Sequence, residues 1–171
     1  MNRLLGLFSR KGLQFQLILI TTGSIIVMMS VLGYLAVERE KSIRYAAVEK
    51  EGRLLSETLA IPIVNDLIYE KLGLVEEGGL LDNYIMEIFN RQDMDLLYMA
   101  ILDEDGKVIS HNDITEYGKV YSDPLTRNTL AADKTTVQRF SRSGHNALDF
   151  GVPLSIGRKR WGSLKFGITL G

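Results

Sequence analysis

Few residues in this chain have chemical capacity, and they are spread out. Asp103-Glu104-Asp105-Gly106 sets two aspartates at alternate positions before a glycine, the pattern from which calcium loops are built. Aligning Gly106 with the obligatory glycine of such a loop puts Ile101 at the first ligand position, and isoleucine offers no oxygen. The stretch therefore reads as a tight hairpin turn, in which aspartate bonds its own backbone and glycine takes a positive φ. The two histidines, His111 and His145, lie far apart, and neither stands at ligand spacing with a second ligand. Cysteine is absent, which excludes disulfides, thiolate metal sites, covalently attached c-type haem and cysteine nucleophiles together. The chain contains no G-x-S-x-G, H-E-x-x-H, Walker or glycine-rich dinucleotide motif. It reads as a non-enzyme that needs no cofactor.

Two cations remain to be explained. Arg139 stands in the middle of an extended segment, where a charge needs water or a partner. Lys165 stands in another such segment, among small and polar neighbours. If both face one cavity they would hold a carboxylate, which makes a small organic anion the natural ligand. The competing reading pairs Lys165 with Asp149 or leaves it in solvent. Tyr98 and Tyr121 are candidates to line the same cavity, or to be core residues with their hydroxyls at its edge. Arg158-Lys159-Arg160-Trp161 reads as the solvated tip of a hairpin. With a net charge of −1, no nucleic-acid partner is expected.

The elements that must position these residues follow from periodicity. Gly12 to Val37 contains no charged residue. About 20 apolar residues in a helix cross a bilayer core of about 30 Å, so this run is long enough to span. It is too long for the apolar part of a cleaved signal peptide, and Tyr34-Leu35-Ala36 lacks the small-x-small cleavage pattern. Arg3, Arg10 and Lys11 precede it without an acidic residue, which predicts an uncleaved anchor with residues 1–11 in the cytoplasm, residues 12–37 in the inner membrane and residues 38–171 outside.

Beyond Val37, Ala47, Leu54 and Ile61 recur every seven residues with Val48 and Leu55 beside them, one apolar stripe that suits either the chain's own sheet or a partner helix. Pro62 is expected to interrupt or kink this helix. A helical pattern resumes from Ile63 to Leu72, stops at Glu76-Glu77-Gly78-Gly79 and returns from Leu80 to Asn90, with Leu81, Ile85 and Ile88 on one face. Leu97 to Leu102 is apolar throughout, as a strand covered on both faces would be. Lys107 to Ser110 forms the next strand. Asp113 to Lys134 reads as a loop with a helical turn near Pro124 to Leu130, Thr136 to Ser141 as a third strand, and Ser143 to Asn146 as a turn. The last two strands alternate clearly. Folding them about Gly157 to Trp161 sets Leu154 against Leu164, Val152 against Phe166 and Phe150 against Ile168 on a large apolar face. The opposite face, with Asp149, Gly151, Pro153, Ser163, Lys165, Gly167 and Thr169, leaves space.

This order resembles the single Cache sensor domains, PAS-like modules on the outer side of bacterial histidine kinases, chemoreceptors and cyclic-dinucleotide enzymes. The matching residues are the apolar strand with Asp103 to Ile109, then Ser110-His111-Asn112-Asp113 and Gly118. Gly151-Val152-Pro153-Leu154 and Trp161 to Gly167 match near the end. The resemblance covers about Glu38 to Gly171. It implies an α+β fold: a transmembrane helix continuing into a long juxtamembrane helix packed on an antiparallel sheet of about five strands. It also implies a small-molecule ligand, a homodimer and an output domain beyond a further membrane helix. His111 would lie beside the loop covering the pocket, a candidate ligand contact. A structural alternative is similar to type IV pilins, through Lys11-Gly12 before an apolar helix. Their glutamate five residues after the glycine is Leu17 here.

Overall fold

The computed structural model describes residues 12–75, 79–90, 95–142 and 144–170. The expected cytoplasmic stretch 1–11, part of the break at 76–79 and Ser143 of the turn lie outside the described residues. The chain forms two units, Met1–Arg44 and Tyr45–Gly171.

Helix α1 runs Leu13–Lys71. In the first unit its large side chains, from Leu17 through Ile25 to Val37, are exposed, and it is long and apolar enough to cross a membrane. The hydroxyls of Thr21 and Ser30 donate to helix carbonyls of Leu17 and Ile26, which removes the cost of placing them among apolar neighbours.

In the second unit five described strands form one antiparallel sheet: β1 Leu96–Leu102, β2 Val108–His111, β3 Thr136–Arg142, β4 His145–Ile156 and β5 Lys159–Thr169, in the order β2-β1-β5-β4-β3. One face packs on α1 and on α2, Gly79–Phe89, whose Leu81, Ile85 and Ile88 are buried as their spacing predicts. Leu59, Ile63, Val64 and Leu67 of α1 meet Met99, Ile101, Phe150, Leu164 and Phe166 of the sheet. On the other face Ala100, Leu102 and Val108 form a smaller cluster with Tyr121, so β1 is covered on both sides.

Three expectations change. The helix passes through Pro62 without a break. A proline inside a helix costs about 3 kcal/mol, and here the buried side chains on both sides of it, Leu59, Ile63, Val64 and Leu67, hold the helix to the sheet and outweigh that cost. The stripe is divided: Val48 and Leu55 pack against the core, while Ala47, Leu54 and Ile61 do not, with Leu54 and Ile61 65% and 68% exposed. The buried line is Gly52, Ser56, Leu59, Ile63 and Leu67, and its smallest member, Gly52, lies against Phe150 of the sheet. Finally, β4 and β5 pair two residues away from the predicted register: Val152 faces Leu164, Phe150 faces Phe166 and Leu148 faces Ile168. Their connection is the two-residue turn Gly157-Arg158, with Gly157 at φ 61°, and a bulge at Leu154/Ser155, so the strands start pairing closer to the turn. An even slip preserves the faces, and the large side still meets the helices.

The Asp103 turn is a structural hinge between strands. Asp103 Oδ1 accepts bonds from the Asp105 and Lys107 amides at 2.9 and 2.8 Å, and Gly106 takes φ 84°. Its carboxylate is occupied by the turn. Gly106 also accepts a bond from the Tyr121 amide, and Val108 exchanges bonds with Lys119 and Gly118, so the turn pins the loop that follows β2.

Candidate functional site

On the sheet face away from α1 and α2 lies a cavity of about 340 Å³, roofed by the pinned loop and by α3, Pro124–Ala131. Local sequence builds the roof. Asp123 before Pro124 is an N-cap followed by proline at the first helical turn, and its Oδ1 accepts from the Thr126 amide at 3.0 Å. Asp113 likewise caps the short turn Ile114–Glu116 by accepting from Thr115. At the far end of α3, the Arg160 guanidinium donates to the carbonyls of Thr129, Leu130 and Ala132 and to Ser163 Oγ. Carbonyls of a last helical turn lack the usual intrahelical partners, so a cation with several donors suits them; Thr129 O also accepts from the Ala132 amide at 3.3 Å. Arg160 is therefore a clamp from β5 onto α3, a correction to its reading as a solvated tip residue.

A continuous polar chain crosses the cavity floor. Thr126 Oγ1 donates to Asp123 Oδ2 at 2.6 Å and accepts from Lys165 Nζ at 3.0 Å. Lys165 Nζ stands 3.4 Å from Asp149 Oδ2, and the Tyr98 hydroxyl donates to Asp149 Oδ1. Lys165 and Asp149 are buried, at 2% and 0% exposure. Asp149 Oδ2 and the Lys165 ammonium form an ion pair at 3.4 Å, without a well-directed hydrogen bond to that oxygen. Burial pushes the Asp149 carboxyl up, and the charge of Lys165 works against that shift. For Asp123 burial also raises, but the bonds from Thr126 prevail and hold it below the usual carboxylate value.

The walls are aromatic. The Tyr98 ring lies parallel to His111 with centroids 6.4 Å apart and meets Phe140 edge-on at 6.2 Å. Gly167 makes room for it: a Cβ there would stand 2.7 Å from Tyr98 Cε1. His111 Nδ1 accepts from the Asp113 amide at 2.8 Å, which leaves Nε2 as the donor of the neutral ring. The Tyr121 hydroxyl donates to Glu116, and Lys119 Nζ lies 2.7 Å from the same carboxylate. The bonds from Lys119 and then Tyr121 hold Glu116 below its usual value.

Tyr98, His111, Tyr121 and Lys165 thus line one cavity, while Arg139 does not. Arg139 pairs with Leu148, whose side chain is on the helix face, and its guanidinium lies 4.2 Å from the Tyr45 ring centroid. Strand alternation puts Gln138 and Phe140 on the cavity side instead. The pair of cations behind the organic-anion expectation is not assembled. His145 begins β4, where a turn was expected, and is exposed. Sequence reading missed Asp123, Thr126 and Phe140; the Asp-Pro step was the available signal for the first two. A groove of about 400 Å³ beside the Asp103 turn carries exposed pairs such as Lys71 and Glu104, without a buried polar group of this kind.

The model of the single Cache domain 3 family matches residues 36–170. No curated protein matches the sequence. Among solved structures, a domain assigned to a sensory box/GGDEF family protein from Vibrio parahaemolyticus is similar at 16% identity and a TM-score of 0.50, over 77% of this chain and 56% of that one. The extracellular domain of a protein assigned as a histidine kinase is similar at 17% identity and 0.50, over 77% and 52%. The sensor domain of E. coli DcuS aligns at 18% identity and 0.44, over 53% and 66%. The chain spans about half to two thirds of the length of these solved chains.

Proposed function

Because this chain belongs to the single Cache domain 3 family, we propose that it is the ligand-sensing module of a bacterial transmembrane signalling protein, binding a small molecule in the cavity under α3. The observation that carries this reading is the polar chain Asp123–Thr126–Lys165–Asp149–Tyr98 on the cavity floor, whose Thr126, Lys165 and Asp149 are buried. Buried ionic groups cost more desolvation than a packed apolar core, so their presence beneath a cavity favours a role in recognition over one in stability.

In this reading α1 crosses the inner membrane once with its N-terminus in the cytoplasm, and the sheet lies outside. Occupancy shifts the roof, and the shift passes through β4 and β5 to α1 as a small displacement between two packed arrangements. The exposed Leu54 and Ile61 favour a homodimer through that helix. The module itself performs no catalysis; any kinase or cyclase activity belongs to an output domain.

The test is thermal denaturation of the full chain in lipid nanodiscs against a metabolite library, with Phe140→Trp as the comparison because it fills the cavity. Compounds should raise the Tm of the native chain and lose that effect in Phe140→Trp. A library without one stabilising compound, or stabilisation that Phe140→Trp leaves intact, overturns the reading.

A further inference from the structure

We infer that the cavity selects a small molecule carrying a protonated amine and turns away dianions; this rests on the sensing role proposed above. Lys165, the cation that an anionic ligand would seek, is already matched. Its side chain is 3% exposed, its ammonium pairs with Asp149, and Thr126 accepts one of its protons. A ligand carboxylate would have to displace a buried partner already in place. The second candidate cation, Arg139, is on the other face of the sheet.

What faces the cavity is acidic. Asp113, Glu116 and Asp123 line it, and Asp149 lies beneath them; against these four carboxylates stand the ammonium groups of Lys165 and Lys119. The buried Oδ2 of Asp149, 3.4 Å from Lys165 Nζ, receives no hydrogen bond. The rings of Tyr98, Tyr121 and Phe140 line the same space, and their faces attract cations. In a recess with low-dielectric walls, fixed charges are screened less than on open surface and the acidic excess concentrates cations.

The experiment has two arms on the full chain in uncharged nanodiscs. In the first, succinate, 4-aminobutyrate and 1,4-diaminobutane provide one chain length with three charges, and Tm is recorded with each. In the second, NMR relaxation by a cationic and by an anionic nitroxide cosolute is compared at the amides of Asn112, Tyr121 and Thr126, which reads the local potential without requiring a fitting ligand. Stabilisation by either amine but not by succinate, with relaxation dominated by the cationic probe, is the expected result. Glu116→Gln should reduce the cationic preference by about threefold. Stabilisation by succinate above both amines, or relaxation dominated by the anionic probe, overturns the inference. Cationic dominance without stabilisation by any compound of any charge leaves the polarity standing and counts against the sensing role itself.

Discussion

Gly52 of α1 lies against the edge of the Phe150 ring on β4: a Cβ at position 52 would stand 2.1 Å from Phe150 Cζ. Phe150 cannot swing aside, because it is fully buried and stacks on Phe166 at 4.9 Å between centroids. A glycine in a helix costs about 1 kcal/mol relative to alanine. The chain bears that cost so that helix and sheet approach closely at this level, with Ser56 one turn on donating back to the Gly52 carbonyl.

Gly52→Ala should therefore destabilise the domain despite its better helix propensity. Overpacking a filled core costs about 1–3 kcal/mol, more than the propensity gain restores. Chemical denaturation of the full chain checks this, and a midpoint at or above that of the native chain would contradict it. Phe150→Leu in the Gly52→Ala background should recover part of the loss.

Lys165→Met should cost about 3–5 kcal/mol, because it leaves Asp149 buried beside no compensating charge. The double variant Lys165→Met with Asp149→Asn should regain much of this. If the single and double variants unfold at the same denaturant concentration, the two side chains are not energetically coupled.

Arg160→Ala should loosen α3 locally while the sheet stays intact. Loss of donors to several terminal carbonyls is worth about 1–3 kcal/mol. Hydrogen exchange should accelerate across Pro124–Ala131 and remain slow in β4 and β5. Uniform acceleration in both regions would mean that Arg160 supports the whole domain rather than the roof.

Acid should undo the two caps only below pH 3.8, after the ordinary carboxylates have taken up protons. Asp113 lies below the usual aspartate value of 3.8 through its bonds from Thr115, and Asp123 lies below it because the Thr126 bonds exceed the effect of burial. A depressed carboxyl contributes stability that is present above pH 3.8 and lost as pH falls through the folded value. Asp149 has the opposite sign: its raised carboxyl contributes below 3.8 and loses that contribution as pH rises through its folded value. The amide shifts of Thr115 and Thr126 should accordingly titrate with midpoints below 3.8. Midpoints above it would show that neither cap carries the charge-assisted bond described.

The alternation of β4 and β5, the Asp103 turn, the α2 face and the membrane-length apolar run were legible from residue order, because each depends on a local period or on one turn's backbone preference. The cavity-lining roles of Tyr98, His111, Tyr121 and Lys165 were partly legible, since a small and polar strand face announces space without naming what fills it. The side of β3 taken by Arg139 depends on where that strand begins pairing, and one residue's difference reverses its face. The continuity of α1 through Pro62 and the exposure of Leu54 and Ile61 depend on how far the helix is rotated about its axis. That rotation is decided by Gly52 meeting Phe150, two residues 98 positions apart. Local sequence could specify the helix, the strands and the turn; the closest approach between them, and with it the cavity's floor of Asp149 and Lys165, arose only when distant side chains had to share one volume.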